Sequence, residues 1–252
     1  MASNIGSILD LEKSPDIIDW NRNHEKKFSN LLLANDRLFD ALKRIGYKAA
    51  IGIAVMLTEL IQMRLKGVYR NIDTDQEFGP KIESLWAAAI DPLYLKTSEF
   101  GDEYYDENNE PTPYVSNWYL MEFIMYEYTN NSFYIHRYLK NLSMLTRHLM
   151  PNQGLFDKWF AETVRKTTEI FPCSYDYADL DFDDASARYD CSCDAPVPCE
   201  FFFSPHFEYS EDTAKPVLNA FLQSLDYNNN PWLCTPEEML EKGFKGEPYK
   251  VF

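Results

Sequence analysis

Apolar residues over the first 170 positions recur at helical spacing, and Pro, Gly and Asn cut them into pieces of helix length. That pattern allows helices with one apolar face each and leaves little room for a sheet. Ser14-Pro15-Asp16 reads as a helix start: Ser caps, Pro suits the first helical position, and Asp favours the positive end of the dipole. Ile17, Ile18, Phe28, Leu31, Leu32, Leu38, Phe39, Leu42 and Ile45 continue from it, with Gly46 as the expected stop. A second helix is predicted from about Tyr47 to Lys66, closed by Gly67, and the short connection predicts an antiparallel hairpin with the first. Pro80 is read as opening a shorter helix that carries Ile82, Leu85, Trp86 and Ile90 and ends at Asp91-Pro92. Residues 96–113 are read as a loop. Helices follow over Tyr114–Tyr128, Phe133–Met150 and Leu155–Phe171, separated by Asn130-Asn131-Ser132 and Pro151-Asn152. Two more are predicted, Thr213–Asp226 and a short one that starts at Thr235-Pro236-Glu237-Glu238 and stops at Gly243.

Composition agrees. Only 9 of 252 residues are Gly, too few for many tight turns, and 15% are aromatic, too many for a disordered chain. The fold class expected is all-α or nearly all-α: a compact bundle of about eight helices forming a single domain over 1–252, with residues 172–212 as a long, acidic, Cys-containing irregular insertion. In the insertion helical periodicity is lost, and Phe201-Phe202-Phe203 reads as a short extended or wedged segment.

Charge is unevenly placed. Residues 1–70 hold eleven Lys/Arg against eight Asp/Glu, which leaves −19 for the remainder of a chain whose net charge is −16. Between 173 and 212 eleven acids face one base, Arg188, and Glu99 to Glu110 contains six acids and no base. Such a field repels nucleic acid and anionic membrane and attracts basic partners. The most apolar run, Ala49 to Leu57, is too short and too closely flanked by Lys48, Glu59 and Arg64 to span a bilayer, and is read as a core helix. Met1-Ala2-Ser3-Asn4 lacks the basic start and apolar stretch of an export signal, and five cysteines do not pair evenly. Reduced thiols and a cytoplasmic location are expected.

Catalytic signatures are absent: no glycine-rich phosphate loop, no Gly-x-Ser-x-Gly elbow, no His-Glu-x-x-His, and no Glu three residues before His24, His136, His148 or His206. Asp179-x-Asp181-x-Asp183 begins like a calcium loop, but Asp184 and Asp190 stand where Gly and Glu are needed. Cys191, Cys193 and Cys199, with Cys173 or His206, offer four soft ligands at a spacing poor for zinc. No metal and no cofactor are therefore assigned. His136 and His148, within helices, are read as hydrogen-bonded structural residues. Trp118, Tyr119, Tyr126, Tyr128, Tyr134 and Tyr138 are read first as packing between two helices and second as an interface.

With its acidic segments Glu99 to Glu110 and Asp176 to Asp190 on a helical frame from Ser14 to Phe171, the chain resembles the immunity proteins of bacterial polymorphic toxin systems. The resemblance implies a protein that binds and blocks a toxin domain, a basic nuclease being one form of partner. The contact residues expected are Asp176, Asp179, Asp181, Asp183 and Asp184, with Glu103, Asp106 and Glu107 as a second group. Two alternatives stand beside it: an enzyme whose site is assembled from residues distant in sequence, and an adaptor that binds through its aromatic helices.

Overall fold

A computed structural model describes residues 9, 11, 18–66, 74–96, 112–175 and 188–251. Its helices are α1 (Arg22–Ser29), α2 (Asp36–Leu42), α3 (Tyr47–Lys66), α4 (Thr74–Ala88), α5 (Pro113–Thr129), α6 (Ile135–Leu149), α7 (Gln153–Ile170), α8 (Glu200–Phe203), α9 (Glu211–Ser224) and α10 (Pro236–Glu241). Short 3₁₀ turns stand at Pro92–Tyr94 and Cys191–Cys193. The described chain is all-α: it forms no strand, and only two isolated bridges, Ile45 with Pro172 and Leu95 with Leu233, pair extended backbone.

The core is built around α3. Sixteen of its 20 residues are buried, because Ala49, Ile51, Ile53, Val55, Leu57 and their neighbours are apolar all round the helix. Helices α4, α5 and α6 enclose it, and α5 packs along α6 through the Asn130-Asn131-Ser132 break. Asn131 takes φ 55 at that break, a left-handed conformation Asn tolerates better than most residues. A smaller core joins α9 and α10 to the 3₁₀ turn at Pro92–Tyr94 through Leu218, Leu222, Leu233, Met239 and Tyr249. The last helix begins at Thr235-Pro236 as read, whereas α9 starts at Glu211, ahead of the expected Thr213; Ser210 and Thr213, then Thr235 and Glu238, form reciprocal capping boxes.

Several expectations need correction. Ser14-Pro15-Asp16 lies outside the described residues, and residues 21–45 form two short helices in place of one long one. Asparagines make the break. Asn21 and Asn35 cap α1 and α2 through their side-chain oxygens, and Asn30 Oδ1 takes the Leu32 N–H at 3.0 Å, so each offers the backbone an alternative to continued helix. In place of a hairpin with α3, α2 lies chiefly against α6. The intervening loop is tied there by Lys140 Nζ, which donates to Leu31 and Leu33 carbonyls, and by Asn141 Nδ2, which donates to those of Phe28 and Asn30. Pro80 sits inside α4. Two residues before it, Phe78 is buried against Tyr114 and Trp118. Gly46 does not end a helix; its carbonyl accepts the Ala50 N–H at 2.9 Å and so begins α3. Phe201–Phe203 is wedged, as read, but as a turn of helix, with Phe202 pressed on Gly52. These short elements raise the number of helices to ten among the described residues.

Candidate functional site

A helix that begins at Gly46-Tyr47 has no side chain of its own to accept its first N–H groups. Here the acceptor comes from 147 positions away: Asp194 Oδ2 takes the Tyr47 N–H at 2.6 Å and the Lys48 N–H at 3.4 Å. Glycine at 46 is what admits the carboxylate, since a Cβ there would stand 3.1 Å from Oδ2. The other oxygen, Oδ1, accepts the Tyr189 hydroxyl at 2.7 Å. The Tyr189 ring stacks on Tyr47, with centroids 3.7 Å apart, and its N–H donates to the Asn131 carbonyl at 2.8 Å. Tyr47 in turn donates its hydroxyl to the Ser132 carbonyl at 2.8 Å. The strap is completed where Gly46 N–H meets the Phe171 carbonyl and Cys173 N–H meets that of Arg44. Residues 188–194, read as part of an irregular insertion, are thus stitched to the N-terminal end of the central helix.

Beside this anchor lies a cleft of about 250 Å³. Ala49, Ile170, Phe171, Pro172 and Ala195 supply its apolar lining. Ser174, Cys193 and Asp194 supply its polar side chains, and among the described residues no His, Lys or Arg lines it.

What this arrangement can do chemically is limited. Burial pushes the Asp194 carboxyl above its ordinary value against the pull of the Tyr189, Tyr47 and Lys48 donors, and its oxygens are committed to those donors. Burial also pushes the Tyr189 phenol up, as it does the Cys173 thiol, the Cys199 thiol and the Cys191 thiol, the last to about 11. A thiol held protonated is a poor nucleophile. His136 is fully buried, with Nε2 3.0 Å from the Ile45 carbonyl and its pKa pushed down to about 4 by burial; it has the structural role read for it. His148 packs with His24, Trp20 and Phe28 and is also shifted down, first by burial and then by His24. Glu59 is raised by burial and bound to Trp86 Nε1 at 2.6 Å. With its oxygens taken by Tyr47, Lys48 and Tyr189, Asp194 serves here as an anchor. Among the described residues no three His, Cys, Asp or Glu side chains stand together as a metal site, so Cys191, Cys193, Cys199 and His206 do not converge. No described helix is long and apolar enough to cross a membrane.

The residues expected to contact a partner, Asp176, Asp179, Asp181, Asp183, Asp184, Glu103, Asp106 and Glu107, all lie outside the described residues. Their flanks do not. Tyr175 and Tyr189, on either side of the first group, have ring centroids 5.7 Å apart, and Tyr175 also meets Phe133 at 5.2 Å. Both described flanks of the first group therefore stand at the Tyr47 end of α3. Around the second group, Lys96 N–H donates to the Trp232 carbonyl, and Lys81 Nζ lies over the rings of both Trp232 and Trp118. Thr112 caps α5, beside Tyr114 on Phe78. Helices α3 and α5 run antiparallel, with Tyr47 at Ser132 and Thr58 at Asn117. The flanks of the two groups thus lie toward opposite ends of α3, separated by at least ~17 Å at 1.5 Å per residue from Tyr47 to Thr58.

Asp194 itself was not singled out by sequence. The signal was negative: a long apolar helix starting at Gly46 with no Ser, Thr, Asp or Asn to cap it, whose donors had to be satisfied from elsewhere. Of the aromatic group, Trp118 and Tyr128 are buried and Tyr138 nearly so, as packing requires, whereas Tyr126 and Tyr134 face solvent. No family model, curated protein or solved structure matches the chain.

Proposed function

We propose that this chain is an acidic binding protein that neutralises a basic protein partner, in the manner of an immunity protein that blocks a cognate bacterial toxin. A nuclease toxin fits the charge, since a site that holds phosphate is itself basic. The observation that carries this reading is the charge asymmetry: eleven acids against one base between 173 and 212, in a chain of net charge −16. Like charges at that density repel and weaken the fold, and a basic partner turns the repulsion into complementarity. Support comes from the seating of the flanks. Tyr175 and Tyr189, the described residues on either side of the first acidic group, both stand at the Tyr47 end of the bundle. Asp176, Asp179, Asp181, Asp183 and Asp184 are the leading contacts in this reading, with Glu103, Asp106 and Glu107 as a second group. Five cysteines, none in a disulfide, favour the cytoplasm as the place of action.

The test is a titration against the partner recovered from the native host and identified, using wild type and the triple variant D181N/D183N/D184N at ~0.05 and ~0.5 M salt, where screening differs most. Association should slow markedly with salt, and the triple variant should bind more weakly by ~1–3 kcal/mol where these charges meet buried basic groups. Equal binding with no salt effect would reduce the acidic stretch to a solubilising surface. The exposed Tyr126 and Tyr134, the latter under the Arg137 guanidinium at 5.0 Å, would then be the leading interface.

A further inference from the structure

Four rings meet where α1 and the residues before it lie on the C-terminal end of α6. Trp20 stacks on His24 with centroids 5.6 Å apart and on Phe28 at 5.9 Å. His148, in the last turn of α6, meets His24 at 4.6 Å, Phe28 at 5.3 Å and Trp20 at 6.0 Å. Trp20, His24 and Phe28 recur every fourth residue, which places them along one side of α1. The His148 ring donates to the Asp19 backbone carbonyl, whereas His24 Nδ1 and Trp20 Nε1 are buried with no hydrogen-bond partner.

We infer that this ring cluster is an acid-released latch: at neutral pH it docks residues 18–27 on α6, and protonation of both His24 and His148 releases them while the rest of the bundle stays folded. Two imidazolium rings with centroids 4.6 Å apart repel one another, most strongly where water is excluded. Helix α1 carries Arg22, Lys26 and Lys27 against Glu25, so it is cationic before either histidine gains a proton. A charge on His24 would also stand in the first turn of α1, at the positive end of its dipole. On α6 the neighbouring Arg147 is a further cation, and it already holds Asp157 of α7. Helix α5, which packs on α1, has its two acids, Glu122 and Glu127, in its second half, whereas stacking of Phe123 on Tyr138 sets His148 toward the first half. Among the described residues the acid that acts on His148 is Asp19, which is exposed. Burial first, then His24 and Lys27, outweigh it and push the His148 pKa below the ordinary 6.5. Docking therefore contributes stability that is fully present above pH 6.5 and is lost as pH falls through the lowered value. A hinge stands beside the latch. Asn141 Nδ2 donates to the Phe28 and Asn30 carbonyls and Lys140 Nζ to those of Leu31 and Leu33, bonds that involve no histidine and pin the chain just beyond the segment released.

The test is amide hydrogen exchange of the full chain at about pH 7.5 and about pH 5, on either side of the histidine range, read by mass spectrometry and corrected for the intrinsic pH dependence of exchange. Protection of α1 should fall about tenfold or more at the lower pH, the effect of lowering one histidine pKa by about one unit. Protection of α3 and the far-UV helical signal should hold, because the core helix is separate from the latch. His24→Phe keeps the ring contacts and removes one of the two charges, and His148→Phe removes the other from the opposite helix. Each variant should keep α1 protected at about pH 5, where only one histidine of the pair remains to be charged. Equal protection of α1 at both pH values in wild type would overturn the latch. So would an undiminished loss in both Phe variants, or a loss spread evenly over α1 and α3, which is acid unfolding of the whole chain.

Discussion

Replacing Asp194 by Ala removes one carboxylate and leaves three donors without it: the Tyr47 N–H at 2.6 Å, the Lys48 N–H at 3.4 Å and the Tyr189 hydroxyl at 2.7 Å. Loss of a helix N-cap costs about 0.5–2 kcal/mol. A hydroxyl stranded beside a buried ring adds ~1–3 kcal/mol, and relief of the buried carboxylate returns part of that. The expected net loss is ~2–3 kcal/mol at pH 7, or roughly 5–10 °C in Tm for a chain of this size. Asp194→Asn separates the hydrogen bonds from the charge. Its amide oxygen can still accept from Tyr47, so the loss should stay under ~1 kcal/mol. The pH dependence has a fixed sign. A carboxyl raised by burial contributes stability that is present below its ordinary pKa of 3.8 and is lost as pH rises through the raised value, and Asn should remove that component. Urea denaturation of wild type, both variants and Tyr189→Phe, with the double variant D194A/Y189F, measures these quantities. The two sites should couple by at least ~0.5 kcal/mol. An Ala variant within ~0.5 kcal/mol of wild type, or an Asn variant as damaged as the Ala variant, would refute the capping argument.

Further outcomes can be checked on the same protein. Gly52→Ala should destabilise by ~1–3 kcal/mol despite the better helix propensity of Ala, because the new Cβ would stand 2.7 Å from the Phe202 ring; Phe202→Leu in the same chain should recover much of the loss in urea denaturation. For His136, with its pKa pushed down to about 4 from 6.5, the unfolded chain binds the proton first, so stability should fall as pH drops from about 6.5 towards 4, by ~2–4 kcal/mol. A stability–pH profile of His136→Phe should lose that slope, and an unchanged slope would place it on other groups.

Much of the fold was legible because its causes are local. The helices Tyr47–Lys66, Pro113–Thr129, Ile135–Leu149 and Gln153–Ile170 follow from apolar spacing within their own residues, and α10 is announced by Thr235 and Glu238 three positions apart. Where local signals competed, sequence misjudged the winner. Apolar spacing ran through Asn30 and Asn35 although their side chains break the helix, and Pro80, read as a helix start, lies inside α4.

The sequence by itself determined the helical class, the position of the long helices and the charge asymmetry, since each depends on residues within a few positions of one another or on composition alone. Only the tertiary structure decided that Gly46 opens a helix, that Asp194 closes its N terminus from 147 positions away, and that Ile170, Ser174 and Cys193 share one cleft. The reason is physical. A helix turn is closed by hydrogen bonds four residues apart, whereas an uncapped N–H accepts any acceptor that packing brings within reach, and no spacing along the chain encodes which one arrives.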